Sequence, residues 1–102
     1  MAKFVYVYVG GQMAETPEAQ EAAMQEWTAW FGTIGDSVVD MGNPFGAGTT
    51  LKNGSTSEGG ASKLGGYTVI NADSLDEAAT RAKGCPVLQS GGSVEVYEAL
   101  VM

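Results

Sequence analysis

Gly65–Met102, GGYTVINADSLDEAATRAKGCPVLQSGGSVEVYEALVM, is the stretch that decides the fold class. Tyr67-Thr68-Val69-Ile70 is a β-branched and aromatic run between Gly65-Gly66 and Asn71-Ala72-Asp73, which is a strand between two turn signals. Ser74 followed three residues later by Glu77 is the pattern of a capping box, in which each side chain holds the other residue's amide. Asp76 and Glu77 suit the positive end of the helix dipole, and Arg81 and Lys83 the negative end. Leu75, Ala78, Ala79 and Ala82 form a narrow stripe that lets this helix lie close on a sheet. Gly84 is expected to stop it in the left-handed conformation, with Pro86 preventing a restart. Gly91-Gly92 then turns the chain into the strand Val94-Glu95-Val96-Tyr97.

Working outward, Phe4-Val5-Tyr6-Val7-Tyr8-Val9 alternates aromatics on one face with valines on the other. Neither face carries a charge, so both need cover and the strand belongs mid-sheet. Thr16-Pro17 opens a helix that Gly35 ends, with Ala23, Trp27, Trp30 and Ile34 on its apolar stripe, widened by Gln20, Met24 and Phe31. Ser37–Met41 carries Asp40 and stops at Gly42-Asn43-Pro44, which suits an edge strand. Residues 42–66 are rich in glycine, serine and threonine; Asn53-Gly54 between Thr49–Lys52 and Ser55–Ser57 predicts a small inserted hairpin.

The order is therefore β-α-β, an excursion, and β-α-β in one α+β domain spanning residues 1–102. Right-handed crossovers place the four long strands, numbered along the chain, in the order 4-1-3-2, a ferredoxin-like sandwich with both helices on one face. The open sheet face, partly valine or aromatic, is an exposed apolar patch unless a second copy covers it, which predicts a homodimer packed sheet to sheet.

The chain has 102 residues and a net charge of −7, with no lysine or arginine cluster, so nucleic acid is not an expected partner. No run is long and apolar enough for a membrane span. One cysteine excludes an internal disulfide and fits the reducing cytoplasm. There is no histidine, the commonest general base and metal ligand, and one cysteine cannot build a zinc site, so no catalytic residue, metal or cofactor is assigned. Cys85, after a helix C-terminus, reads as structural. Gly46-Ala47-Gly48 and Gly59-Gly60 lack the Gly-Lys-Ser/Thr of a phosphate loop. The aromatic stripe of the first helix is core, or else one wall of a cleft against the sheet. The candidate ligand-binding residues are Tyr6, Tyr8, Met24, Trp27, Asp40, Asn43 and Tyr67.

Trp30-Phe31-x-x-Ile34-Gly35-Asp36-x-Val38-Val39-Asp40-x-Gly42-Asn43-Pro44 resembles the YCII-related family, in particular its DGPF-type branch. So do Gly66-Tyr67-x-x-Ile70-x-Ala72-Asp73-Ser74-Leu75-Asp76-Glu77-Ala78, Gly84-Cys85-Pro86 and Gly91–Val96. The resemblance covers nearly the whole chain and implies a dimeric α/β-barrel. The YciI-like members of this family carry a proposed His-Asp dyad; here Met24 falls near the histidine position and Cys85 stands at the aspartate position before Pro86. A small-molecule-binding or protein-interaction module without that dyad is therefore the leading expectation. The alternatives are a small enzyme that pairs Asp40 with a tyrosine such as Tyr6 or Tyr67, and a regulatory partner of a sigma-factor-type regulator, since relatives of this branch occur beside or fused to sigma factors.

Overall fold

The structure, a computed structural model, describes residues 2–10, 15–58 and 64–101. Its elements are β1 (Ala2–Val9), α1 (Pro17–Ile34), β2 (Val38–Asp40), β3 (Thr49–Lys52), β4 (Ser55–Glu58), β5 (Leu64–Ala72), α2 (Leu75–Ala82) and β6 (Ser93–Ala99). Four strands form an antiparallel sheet in the order β2-β5-β1-β6, and β3 and β4 form a separate two-stranded hairpin. This mixed α+β architecture, with two helices and a four-stranded antiparallel sheet, is compatible with a ferredoxin-like fold.

β1 lies between β5 and β6, with Val5 opposite Val69 on one side and Tyr97 on the other. Its period-2 alternation sorts the side chains cleanly. Phe4, Tyr6 and Tyr8 are buried beneath the helices, whereas Val5, Val7 and Val9 are only half-buried on the other face. Ile70, Ala72 and Thr68 of β5 complete the buried layer, which the small residues Ala78 and Ala82 of α2 approach closely.

Thr16 caps α1 by accepting the Ala19 amide at 3.1 Å, and Pro17 occupies the first turn. Trp30 and Ile34, one turn apart, are its buried residues. After Ile34 the chain tightens into a single 3₁₀ turn, Gly35–Ser37, with Gly35 still right-handed. β2 is shorter than the Ser37–Met41 reading. Edge pairing beyond it is irregular, carried by a bridge between Pro44 and Gly66 and by Phe45 N–H donating to Gly65 O at 2.9 Å.

Two local expectations are corrected around α2. Ser74 Oγ accepts the Glu77 amide at 3.1 Å, but the Glu77 carboxylate reaches back to the Asp73 amide, at 3.3 Å, and its other oxygen pairs with Arg81 one turn on. Gly84 is not left-handed: Lys83 ends α2 in the right-handed region, and among the described residues the positive-φ glycines are Gly10, Gly42, Gly54 and Gly91. Gly84 is small for a different reason, since a Cβ there would stand 3.2 Å from Trp30 Cδ1. Close approach of two helices, not backbone handedness, is what a side chain at this position would disturb. Gly11, which with Gly10 is expected to end the first strand, and Gly59-Gly60 of the glycine-rich stretch lie outside the described residues.

Candidate functional site

The helical stripe of α1 is wider than the sheet can cover. Trp30 goes under, and Trp27 and Phe31 are left half-buried above the end of β1. The chain from Met41 to Pro44 passes on the other side, and a cleft of about 300 Å³ opens between them. Trp27 stands edge-on to Tyr8 with ring centroids 5.0 Å apart at 82°, and Phe31 lies 6.0 Å from Trp27. Tyr67, opposite Val7 in the sheet register, contributes to the lining and carries Phe45 stacked on it at 5.8 Å.

Two glycines make the narrow side possible. Gly42 has φ +73° and passes so close to β5 that a Cβ would meet the Tyr67 carbonyl oxygen; at Gly66 a Cβ would stand 3.0 Å from Asn43 O. Asp40 Oδ1 accepts the Gly42 amide at 2.8 Å and holds this turn.

The polar content of the cleft is sparse and neutral. Thr68 is fully buried and donates its hydroxyl to Met41 O at 2.9 Å, while Tyr8 Oη lies 2.6 Å from Thr68 Oγ1. Asn43 adds an amide, and among the described residues none that lines the cleft is charged. Of the candidate residues read from sequence, Tyr8, Trp27, Asn43 and Tyr67 meet here. Tyr6, Met24 and Asp40 do not line the cleft. Tyr6 is buried next to α2 and donates to Ala78 O, Met24 is 70% exposed, and the Asp40 carboxylate serves the turn. Thr68, Met41, Gly65 and Gly66 were missed; Thr68 belongs to a strand run whose inward side could have been read from alternation with Ile70.

Burial dominates the titration of the groups nearby. Desolvation pushes Tyr6 up to about 12, with Arg81 opposing and Cys85 adding slightly. It pushes Cys85 up to about 11 against the Val87 amide, and raises Tyr8 well above the ordinary tyrosine range despite its bond to Thr68. Each of these groups is bound to its proton more tightly in the folded chain than in the unfolded one. Stability should therefore be whole below the ordinary thiol value of 9.0 and fall as pH rises toward 12, because the unfolded state gives up protons that the folded state keeps. Urea midpoints measured from neutral to strongly alkaline pH should show this decline, and Tyr6→Phe should make it shallower. A profile unchanged by that substitution would mean Tyr6 is not a source of the effect.

Among the described residues no group of three or more His, Cys, Asp or Glu side chains is placed to hold a metal ion, and no helix is long and apolar enough to cross a membrane. A second, more open depression of about 340 Å³, between α1 and residues 84–89, is lined by Glu26, Trp30 and Gln89 among others.

No curated protein matches the chain. Among solved structures, 5-chloro-2-hydroxyhydroquinone dehydrochlorinase from Burkholderia phenoliruptrix AC1100, in complex with 2,5-dihydroxybenzoquinone, superposes with a TM-score of 0.59 at 16% identity, covering 98% of this chain and 95% of that one. That likeness is one of fold. The YCII-related domain matches residues 6–102, nearly the full length, and the chain accordingly belongs to the YCII-related family.

Proposed function

We propose that this protein is a small-molecule-binding module of the YCII-related family, of its DGPF-type branch, and that its ligand is a single planar ring held between the aromatic wall of Trp27, Phe31 and Tyr8 and the Met41–Pro44 turn. The observation that carries this reading is the open aromatic-walled cleft itself. At about 300 Å³ it sits at the lower end of ordinary ligand pockets, with room for one small ring and not for a nucleotide. Edge-on aromatic walls suit a flat apolar body. The dehydrochlorinase of similar fold was solved with a one-ring quinone, which is compatible with this size class. The acid-base alternative, Asp40 with Tyr6 or Tyr67, has less geometric support, because Asp40 holds the Gly42 amide and does not line the cleft beside Tyr67, and Tyr6 is committed to Ala78 O.

The working form in this reading is a cytoplasmic homodimer, an α/β-barrel closed by packing the two bare sheet faces together. Val5, Val7, Val9 and Val69 form a half-buried apolar strip there, and a strip of this kind on a sheet gains by being covered. The buried free Cys85 fits a reducing compartment.

Native mass spectrometry of freshly purified protein tests both parts at once. The expected spectrum is a two-chain mass that carries an added small molecule and loses it on mild activation. A one-chain mass in dilute solution would overturn the dimer. Failure of any added monocyclic aromatic to be retained, or to change Trp27 emission, would overturn the binding site.

A further inference from the structure

The hydrogen-bond polarity of the cleft can be worked out atom by atom. Met41 O is a carbonyl and can only accept, so the single hydroxyl proton of Thr68 is committed to it at 2.9 Å. Thr68 Oγ1 must then be the acceptor in its 2.6 Å contact with Tyr8, which commits the Tyr8 proton as well. What remains on Tyr8 Oη is acceptor capacity alone. Burial keeps this phenol protonated through the neutral range, so the direction of the chain is fixed there. The Asn43 amide and the Tyr67 hydroxyl each offer both a donor and an acceptor and impose no direction, and the Trp27 indole N–H lies on the opposite wall. Among the described lining residues none carries a charge, so an anionic ligand meets no counter-charge there, and the net charge of −7 on the chain repels it.

We propose that the cleft selects a neutral aromatic ring bearing a hydroxyl or amino hydrogen-bond donor, read by Tyr8 Oη as an acceptor whose polarity Thr68 and Met41 O set. This inference rests on the reading of the cleft as a small-molecule site. A ring with an ether or carbonyl oxygen at the same place would set two acceptors against each other in an apolar pocket, where neither can turn to water. Thr68 is a positioning residue in this scheme: it does not need to touch the ligand, only to hold the Tyr8 proton away from it.

Phenol, anisole and benzoate separate the cases, since they share a ring and differ in donor, acceptor and charge. Binding is followed by the indole N–H resonance of Trp27 in two-dimensional NMR. The wild-type protein should bind phenol about tenfold more tightly than anisole, the ratio a single well-placed hydrogen bond commands, and benzoate more weakly than phenol. Tyr8→Phe leaves the Thr68–Met41 bond in place and should weaken phenol about tenfold with anisole little changed. Anisole or benzoate binding as tightly as phenol, with Trp27 shifting for both, overturns this inference and leaves the binding site standing. Undiminished phenol affinity in Tyr8→Phe overturns it too. No Trp27 shift with any of the rings overturns the site and the inference together. Should Tyr8→Phe fail to fold, the wild-type ratio decides alone.

Discussion

Trp30→Ala is expected to lower the free energy of unfolding by about 3–5 kcal/mol, the range for removing a large aromatic from a packed core. Trp30 is 5% exposed, and its indole is the point where three layers of contact meet. Below it lie Tyr6 and Tyr8 of the sheet, at ring separations of 5.9 and 6.5 Å. Beside it on the same helix stand Trp27 and Phe31, at 5.8 and 5.1 Å. Its Nε1 donates to Arg81 O at 3.1 Å, which ties α1 to the last turn of α2. Alanine would leave a cavity, an unpaired carbonyl at the end of α2 and nothing opposite Gly84. Domains of this size have only about 5–15 kcal/mol in total, so the variant should sit at or near the edge of folding at room temperature. Urea denaturation followed by circular dichroism gives the number. Trp30→Phe separates the contributions: it keeps most of the apolar volume and loses the indole bond, and should cost about 1–2 kcal/mol. A loss below that level for the alanine variant would show that the two helices are held to the sheet by something other than this side chain.

The same residue shows why some of the chain was legible in sequence and some was not. Trp30 falls on a 3.6-residue stripe with Trp27 and Ile34, and such a stripe names a buried helix face without any knowledge of the partner. β1 was readable for the same kind of reason, since its aromatic-valine alternation assigns sides at once. The cap of α2 at Ser74 is also local, closed within four residues. What failed was what depends on neighbours remote in sequence. Gly84 looked like a left-handed stop because glycine after a helix usually is one; its actual constraint is an indole from α1, 54 positions back in the chain. Tyr6 and Tyr8 share a strand face and differ in sequence by one step of the pleat. That one lies by α2 and the other lines the cleft is set by where α1 crosses the sheet, a matter of packing. Met24 sits one turn before Trp27 on the same stripe, yet the buried residues of α1 are both in its second half, and Met24 is left 70% exposed. Asp40 has the look of a functional carboxylate, but the glycine two residues on supplies the amide it holds.

Gly42→Ala should be the most informative single substitution in the cleft, because the position combines two costs that can be separated. The first is conformational: at φ +73° an L side chain crowds its own backbone, about 1–2 kcal/mol. The second is steric. An ideal Cβ would lie 1.7 Å from the Tyr67 carbonyl oxygen and 2.6 Å from its carbonyl carbon, both backbone atoms of β5, so no rotamer change can relieve the contact. The turn must move away from β5. Moving it strains the Pro44–Gly66 bridge, the Phe45–Gly65 hydrogen bond and the Met41 carbonyl that receives the Thr68 proton. Gly54→Ala is the control. Gly54 has φ +80° at the tip of the hairpin, and nothing lies within 4 Å of its Cβ position, so it carries the conformational cost alone. The expected result is a loss of about 1 kcal/mol for Gly54→Ala and at least about 2–3 kcal/mol for Gly42→Ala. Ring binding should differ more sharply still: unchanged in Gly54→Ala, and reduced at least about tenfold in Gly42→Ala, because the displaced turn is one wall of the cleft. Equal stability losses in the two variants would mean that the turn can leave β5 freely. Retention of binding in Gly42→Ala would mean that Met41–Pro44 is not a wall the ligand needs.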